Sequence, residues 1–120
     1  MELQTIDHIC LWVCSASKAK DYYEKLFGFS CHFRGDDFST LVVESGSVHF
    51  FIKETDDANF LDKQHLSFKV SSLDDVINRL QALGISNYEV GEVDCFSDSN
   101  YRWCEWRDPD GIRLECVERI

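Results

Sequence analysis

The chain has 120 residues and a mass of 13.9 kDa, less than the ~150 residues of an average domain. Its 22 acidic and 12 basic residues leave a net charge of −10, which argues against nucleic acid and anionic membranes as partners and leaves room for a neutral or cationic small molecule. A hydrophobic fraction of 44%, with nine Phe, four Tyr and three Trp, excludes a disordered chain. No apolar stretch approaches the ~20 residues of a membrane span. The opening MELQTIDHICLWV has no basic region before its apolar run, so no signal peptide is expected. The six cysteines lack a CxxC spacing, and four lie in apolar, strand-like segments. Reduced, mostly buried thiols in a cytoplasmic protein are expected.

Elements follow in chain order. Residues His8–Val13 alternate, with Ile9, Leu11 and Val13 on one face, as in a half-buried strand. Ser15 stops that strand, and Ala16, Ala19, Tyr23, Leu26 and Phe27 have helical spacing. Gly28 stands where a left-handed C-cap is needed. Short apolar runs follow at Phe29–Phe33, Thr40–Val43 and Val48–Ile52, with turns at Gly35-Asp36-Asp37 and Ser45-Gly46. Glu54–Lys63 is polar and reads as a linker.

The same order then recurs. His65–Val70 alternates, Ser72 with Asp75 forms a capping-box-like pair, and Leu73, Val76, Ile77, Leu80 and Leu83 have helical spacing before Gly84. Tyr88–Val90, Trp103–Trp106 and Ile112–Val117 read as strands, with Asp108-Pro109-Asp110-Gly111 as a tight turn. A polar loop spans about Gly91 to Asn100. An offset of 57 superposes His8 on His65, Leu11 on Phe68, Val13 on Val70, Ser15 on Ser72 and Leu26 on Leu83. The chain is therefore two copies of one β-α-β-β-β unit, an α+β fold with one module over about 1–56 and the other over about 63–120.

Three stretches carry a family resemblance. They are His8-Ile9-Cys10-Leu11-Trp12-Val13 before a helix with Tyr22-Tyr23 and Leu26-Phe27-Gly28-Phe29, then Gln64-His65-Leu66-Ser67-Phe68, then Arg107-Asp108-Pro109-Asp110-Gly111-Ile112-Arg113-Leu114-Glu115. In this order, on the duplicated unit, they resemble the vicinal oxygen chelate superfamily. That superfamily includes glyoxalases, extradiol dioxygenases, and fosfomycin and bleomycin resistance proteins. The resemblance implies that each module forms half a cup, that strand faces opposite the helices line it, and that a homodimer completes the cups.

On that frame, strand alternation turns His8, Cys10 and Trp12, then His65, Ser67 and Lys69, then Arg113, Glu115 and Val117, toward the cup. His8, His65 and Glu115 match the superfamily's metal-ligand positions. Two imidazoles and a carboxylate suit a divalent ion such as Zn, Mn, Ni or Fe(II), with positions left open for substrate. The family's fourth ligand falls in Val48-His49-Phe50-Phe51-Ile52, where Phe51 best fills the place and His49 adjoins it. The glutamate that lactoylglutathione lyases carry there is missing. Cys10, Trp12, Phe51 and Trp103 are candidate substrate contacts, and Glu105 is the candidate general base. No basic residue stands beside Cys10 in sequence, so an inert, buried cysteine is expected there. Arg102, Arg107 and Arg113 are candidate anion contacts, without the cationic cluster a phosphonate needs.

Two functions stay open. One is a metal-dependent enzyme that chelates vicinal oxygens of a small molecule, of the lyase or isomerase type ahead of the dioxygenase type. The other is a drug-binding protein of the bleomycin resistance type, which suits the acidic charge and the tryptophans.

Overall fold

The computed structural model describes residues 1–93 and 100–119. The chain divides into two compact units, Met1–Asn59 and Phe60–Ile120. In the first, β1 (Cys10–Val13) leads to α1 (Ala16–Phe27), then β2 (Ser30–Arg34), β3 (Asp37–Ser45) and β4 (Val48–Glu54). The sheet order is β1-β4-β3-β2, with β1 parallel to β4 and the other pairs antiparallel.

The second unit repeats this with β5 (His65–Lys69), α2 (Leu73–Ala82), β6 (Glu89–Val93), β7 (Tyr101–Arg107) and β8 (Arg113–Arg119). Its order is β5-β8-β7-β6, again mixed, with β5 parallel to β8. The expected architecture of two βαβββ units is therefore present. Among the described residues, no helix is long and apolar enough to cross a membrane.

The helix ends follow the sequence signals. The Ser15 hydroxyl accepts from the Lys18 N–H at 3.3 Å, and Ser72 accepts from Asp75 at 3.3 Å. Each satisfies an N–H that the first helical turn leaves without a partner. Gly28 closes α1 at φ 70°, donating to the Glu24 carbonyl at 2.9 Å. An L side chain would be strained in that left-handed conformation. The buried side chains Ala16, Ala19, Tyr23 and Leu26 form one stripe of α1. They complete a core with Leu11, Val13, Leu41, Val43, Phe50 and Ile52 from alternate strand positions. In the second unit Leu73 and Leu80 meet Cys104, Trp106, Leu114 and Cys116 in the same way. Each fully buried leucine contributes about 2 kcal/mol by leaving water.

Some expectations are corrected. Ile9 is 43% exposed rather than in the core, because it precedes β1, although its carbonyl still accepts from the Phe51 N–H at 2.9 Å. Leu83 is 38% exposed, since it is the C-cap of α2 and has left the helical stripe. β3 is longer than the apolar run Thr40–Val43 and begins at Asp37, which was expected in the turn. Asp37 accepts from Ser39 N–H and Oγ and from Thr40 Oγ1, so its side chain builds the strand entry. The linker contains a 3₁₀ helix, Ala58–Lys63, that buries Leu61. Cys10 and Cys14 are exposed, while Cys31, Cys104 and Cys116 are buried; Cys95 and most of the polar loop lie outside the described residues.

The hairpin β7–β8 is tied by one side chain. The Asp108 carboxylate, 7% exposed, accepts from the Asp110 N–H at 2.8 Å and the Ile112 N–H at 2.9 Å. Asp108→Ala strands a buried donor at Ile112, so urea unfolding should show a loss of about 3 kcal/mol.

The core thiols give a second expectation. Burial pushes Cys31 and Cys104 up to about 11 and Cys116 to about 12. In the unfolded chain these thiols ionise near pH 9, whereas in the folded protein they stay protonated. The unfolded state then binds fewer protons, so stability present below pH 9 falls as pH rises toward 11–12. Denaturation midpoints measured from pH 8 to 11 should decline, and less steeply in Cys116→Ala than in the parent.

Candidate metal centre

Register assigns the side chains to faces. In the second unit, β5 pairs with β8 as His65 opposite Arg113, Ser67 opposite Glu115 and Lys69 opposite Val117. β7 continues the row, with Glu105 opposite Glu115 and Trp103 opposite Val117. All lie on the face away from α2, since the alternate positions Cys104, Trp106, Leu114 and Cys116 form the core. In the first unit Cys10 pairs with Phe51 and Trp12 with Lys53, and Glu44 pairs with His49. His49 and Phe51 thus share the helix-free face, as alternation predicts.

The second unit brings His65 and Glu115 together. His65 Nδ1 lies 3.2 Å from the Arg113 carbonyl, an atom that can only accept. Nδ1 therefore carries the proton, and in the neutral ring Nε2 holds a lone pair. Nε2 lies 3.6 Å from Glu115 Oε1, and the Glu115 side chain is only 13% exposed. Two electron-rich atoms facing each other at that distance suit a shared cation.

The first unit prepares His8 in the same form. His8 Nδ1 lies 2.6 Å from Asp7 Oδ1, which accepts its proton and leaves Nε2 free. The bond to His8, with the attraction of its ring, holds the Asp7 carboxyl below the usual carboxylate range. His8 also meets Phe51, with ring centroids 4.6 Å apart, and His49 at 6.3 Å. Metal-bound imidazoles ordinarily give their second N–H to a carboxylate or carbonyl, which sets the tautomer. Both repeat-equivalent histidines meet that condition, so the donor set fits a divalent ion. Among the described residues, no three His, Cys, Asp or Glu side chains are gathered as a metal cluster within the chain as it stands.

The remaining candidates divide. Glu105 is on the Glu115 face and borders a cleft of about 210 Å³ with Asn87, Glu89 and Arg107. Its Oε1 lies 2.7 Å from Arg113 Nε. Trp103 lies flat over Gly91: a Cβ placed on that glycine would come 2.5 Å from Trp103 Cζ2. Cys10 has Lys53 as a charge neighbour across the sheet, which sequence adjacency did not reveal. Cys10 is exposed rather than buried as expected, yet partial desolvation of its thiol outweighs Lys53 and raises the pKa, consistent with an inert thiol. Trp12 and Phe51 are half-buried on that face, and the Arg34 guanidinium stands 5.8 Å over Phe51.

Sequence reading missed several partnerships. The Arg107 guanidinium donates to the carbonyls of Asp62 and Gly111, each at 3.0 Å. Arg102 faces Glu118 at 3.6 Å, Asp74 at 3.8 Å and Glu92 at 4.0 Å. With Arg113 Nε 2.7 Å from Glu105, each of the three arginines has an acceptor within this chain. The pairing of His49 with Glu44 at 3.9 Å was also unseen, because it crosses strands.

Gly91 offers a direct check on Trp103. In Gly91→Ala the new methyl must push the half-buried indole off the sheet. Near-UV circular dichroism should change, with about 1 kcal/mol lost, and the same substitution in a Trp103→Phe background should leave the spectrum unaltered.

Comparison with known proteins agrees with the fold. The chain is 27% identical over 112 residues to a probable trivalent organoarsenical cleaving enzyme of Bacillus subtilis (strain 168), covering 90% of this chain and 75% of that one. It is 30% identical over 113 residues to a trivalent organoarsenical cleaving enzyme of Bacillus sp. (strain MD1), covering 90% and 69%. Among solved structures, a virulence protein of Salmonella typhimurium aligns with a TM-score of 0.81 at 23% identity over 100% of both chains. A fosfomycin resistance protein of Listeria monocytogenes, complexed with Mn(II) and sulfate, aligns with a TM-score of 0.73 at 19% identity, over 99% of this chain and 93% of that one. Residues 5–116 match the family profile, and the chain belongs to the Glyoxalase/Bleomycin resistance protein/Dioxygenase superfamily.

Proposed function

We propose that this protein is a metal-dependent enzyme acting on a small molecule, with His8, His65 and Glu115 as ligands of one divalent ion. The observation that carries the reading is the matched tautomer: His8 and His65 each commit Nδ1 to an acceptor and keep Nε2 for a cation. When bound, the ion supplies Lewis acidity toward two oxygens of the substrate. Zn, Mn, Ni and Fe(II) all accept this donor set. A homodimer is the assembly proposed to unite His8 of one copy with His65 and Glu115 of the other, in the cytoplasm.

The chain's own residues supply the rest. Glu105 is the carboxylate assigned to proton transfer, held in direction by Arg113. Trp103, lying on Gly91, and Trp12 and Phe51 on the first unit's helix-free face give aromatic surfaces for the substrate. Cys10 shares the face of Phe51 and Trp12. The reaction is proposed as a lyase or isomerase type ahead of a dioxygenase type. The names of the two curated relatives make trivalent organoarsenicals the first substrate class to try.

Calorimetric titration with Mn(II) and Zn(II) tests the ligand set. His8→Ala, His65→Ala and Glu115→Ala should each weaken binding by on the order of 100-fold or more, with far-UV spectra unchanged. His32→Ala, on outer strand β2, should bind as the parent does. Loss of a trivalent aryl arsenical, followed by chromatography, should track metal loading. Equal metal affinity in all three variants, or none in the parent, would overturn the reading in favour of a drug-binding protein.

A further inference from the structure

Where β3 turns into β4, the first unit holds a cleft of about 460 Å³ bordered by Ser30, Glu44, Ser45 and His49. Gly28 and Gly46 also border it, and a Cβ on either would meet nothing within 4 Å, so the glycines leave it open. Ser30, Glu44 and His49 are direct cross-strand neighbours in one row over β2, β3 and β4.

The chemistry of this lining is one-sided. Beside the two glycines and Val48 it offers a carboxylate, two hydroxyls and an imidazole, and no Lys or Arg borders it. An anionic ligand would meet the Glu44 charge with no fixed cation to offset it. A primary ammonium carries three donors and no acceptor, the complement of this set. The Glu44 side chain is 56% exposed, so its charge is open to a ligand, and its one charge neighbour among the described residues is His49 at 3.9 Å. His49 connects the cleft to the first unit's aromatic group, meeting Phe51 edge-on with centroids 5.6 Å apart. A ligand held by its ammonium at Glu44 can therefore lay an apolar body along the His49 ring.

We propose that this cleft binds a primary ammonium group, with Glu44 as counter-ion and Ser30, Ser45 and His49 as flanking polar contacts. The site shares the first unit's helix-free face with His8 and Phe51, and its counter-ion Glu44 is not among the proposed metal ligands. Its test is an NMR titration with benzylammonium, and with benzyl alcohol as the neutral analogue of similar shape. The parent should bind benzylammonium at least ~tenfold more tightly than the alcohol, as a charge-assisted contact requires. Amide shifts should centre on Ser30, Glu44 to Gly46, and His49. Glu44→Gln, its fold checked by the dispersion of the same spectra, should erase the preference. His8→Ala should retain it, which separates this site from the proposed metal centre. Equal binding of the two probes by the parent, a preference undiminished in Glu44→Gln, or shifts centred elsewhere would each overturn the proposal.

Discussion

The parallel pairing of each unit's first strand with its last is the constraint on which the rest depends. In the second unit it sets Ser67 opposite Glu115 and His65 opposite Arg113, so the Arg113 carbonyl reaches the His65 ring. Side chains alternate along a strand, so a slip of one residue would send Glu115 into the core and Leu114 into water. A carboxylate buried there without a partner would cost several kcal/mol. Leu114, Cys116 and Ile112 are fully buried, and this locks the register that presents Glu115. The site geometry is thus a by-product of apolar packing on the opposite face.

This is also why so much was legible in the sequence. A period of two in His65–Lys69 and Arg113–Arg119 predicts both the core and the face that carries His65, Ser67 and Glu115, because burial allows only one register. The serine caps and the glycines at 28 and 84 are local chemistry, decided within a few residues, and were readable for that reason. What was not readable is contact across strands. That Lys53 neighbours Cys10, that Glu44 neighbours His49, and that Arg113 pairs with Glu105 all depend on which strands lie side by side. Ile9 fails for a related reason. The alternating pattern extends one residue beyond the point where the sheet and helix enclose it, so an apolar residue in phase is still exposed.

The charge of −10 gains a more specific meaning from the contacts. Arg102, Arg107 and Arg113 have partners within the second unit, carboxylates for two and backbone carbonyls for one. Their positive charge is spent on internal structure, and a surface rich in acids remains. Most exposed ion pairs of this kind contribute less than about 1 kcal/mol. Their consequence for recognition is larger than for stability, since each guanidinium stands beside a carboxylate or carbonyl that an anion would have to displace or share. The acidic excess then favours neutral or cationic ligands.

The two units reach one chemical state by different routes. His65 gives its Nδ1 proton to a backbone carbonyl that strand pairing fixes, so nearly any side chain at position 113 would serve. His8 precedes β1, where the ladder has not begun. A side chain, Asp7, takes the place of the carbonyl. That substitution has a physical consequence. The carbonyl is held by the strand ladder and stays in place as long as β5 pairs with β8, whereas the Asp7 side chain is exposed and must be ordered by its bond to His8 alone. The duplicated histidines therefore share an Nδ1 contact and differ in what fixes it, sheet pairing for His65 and a neighbouring side chain for His8.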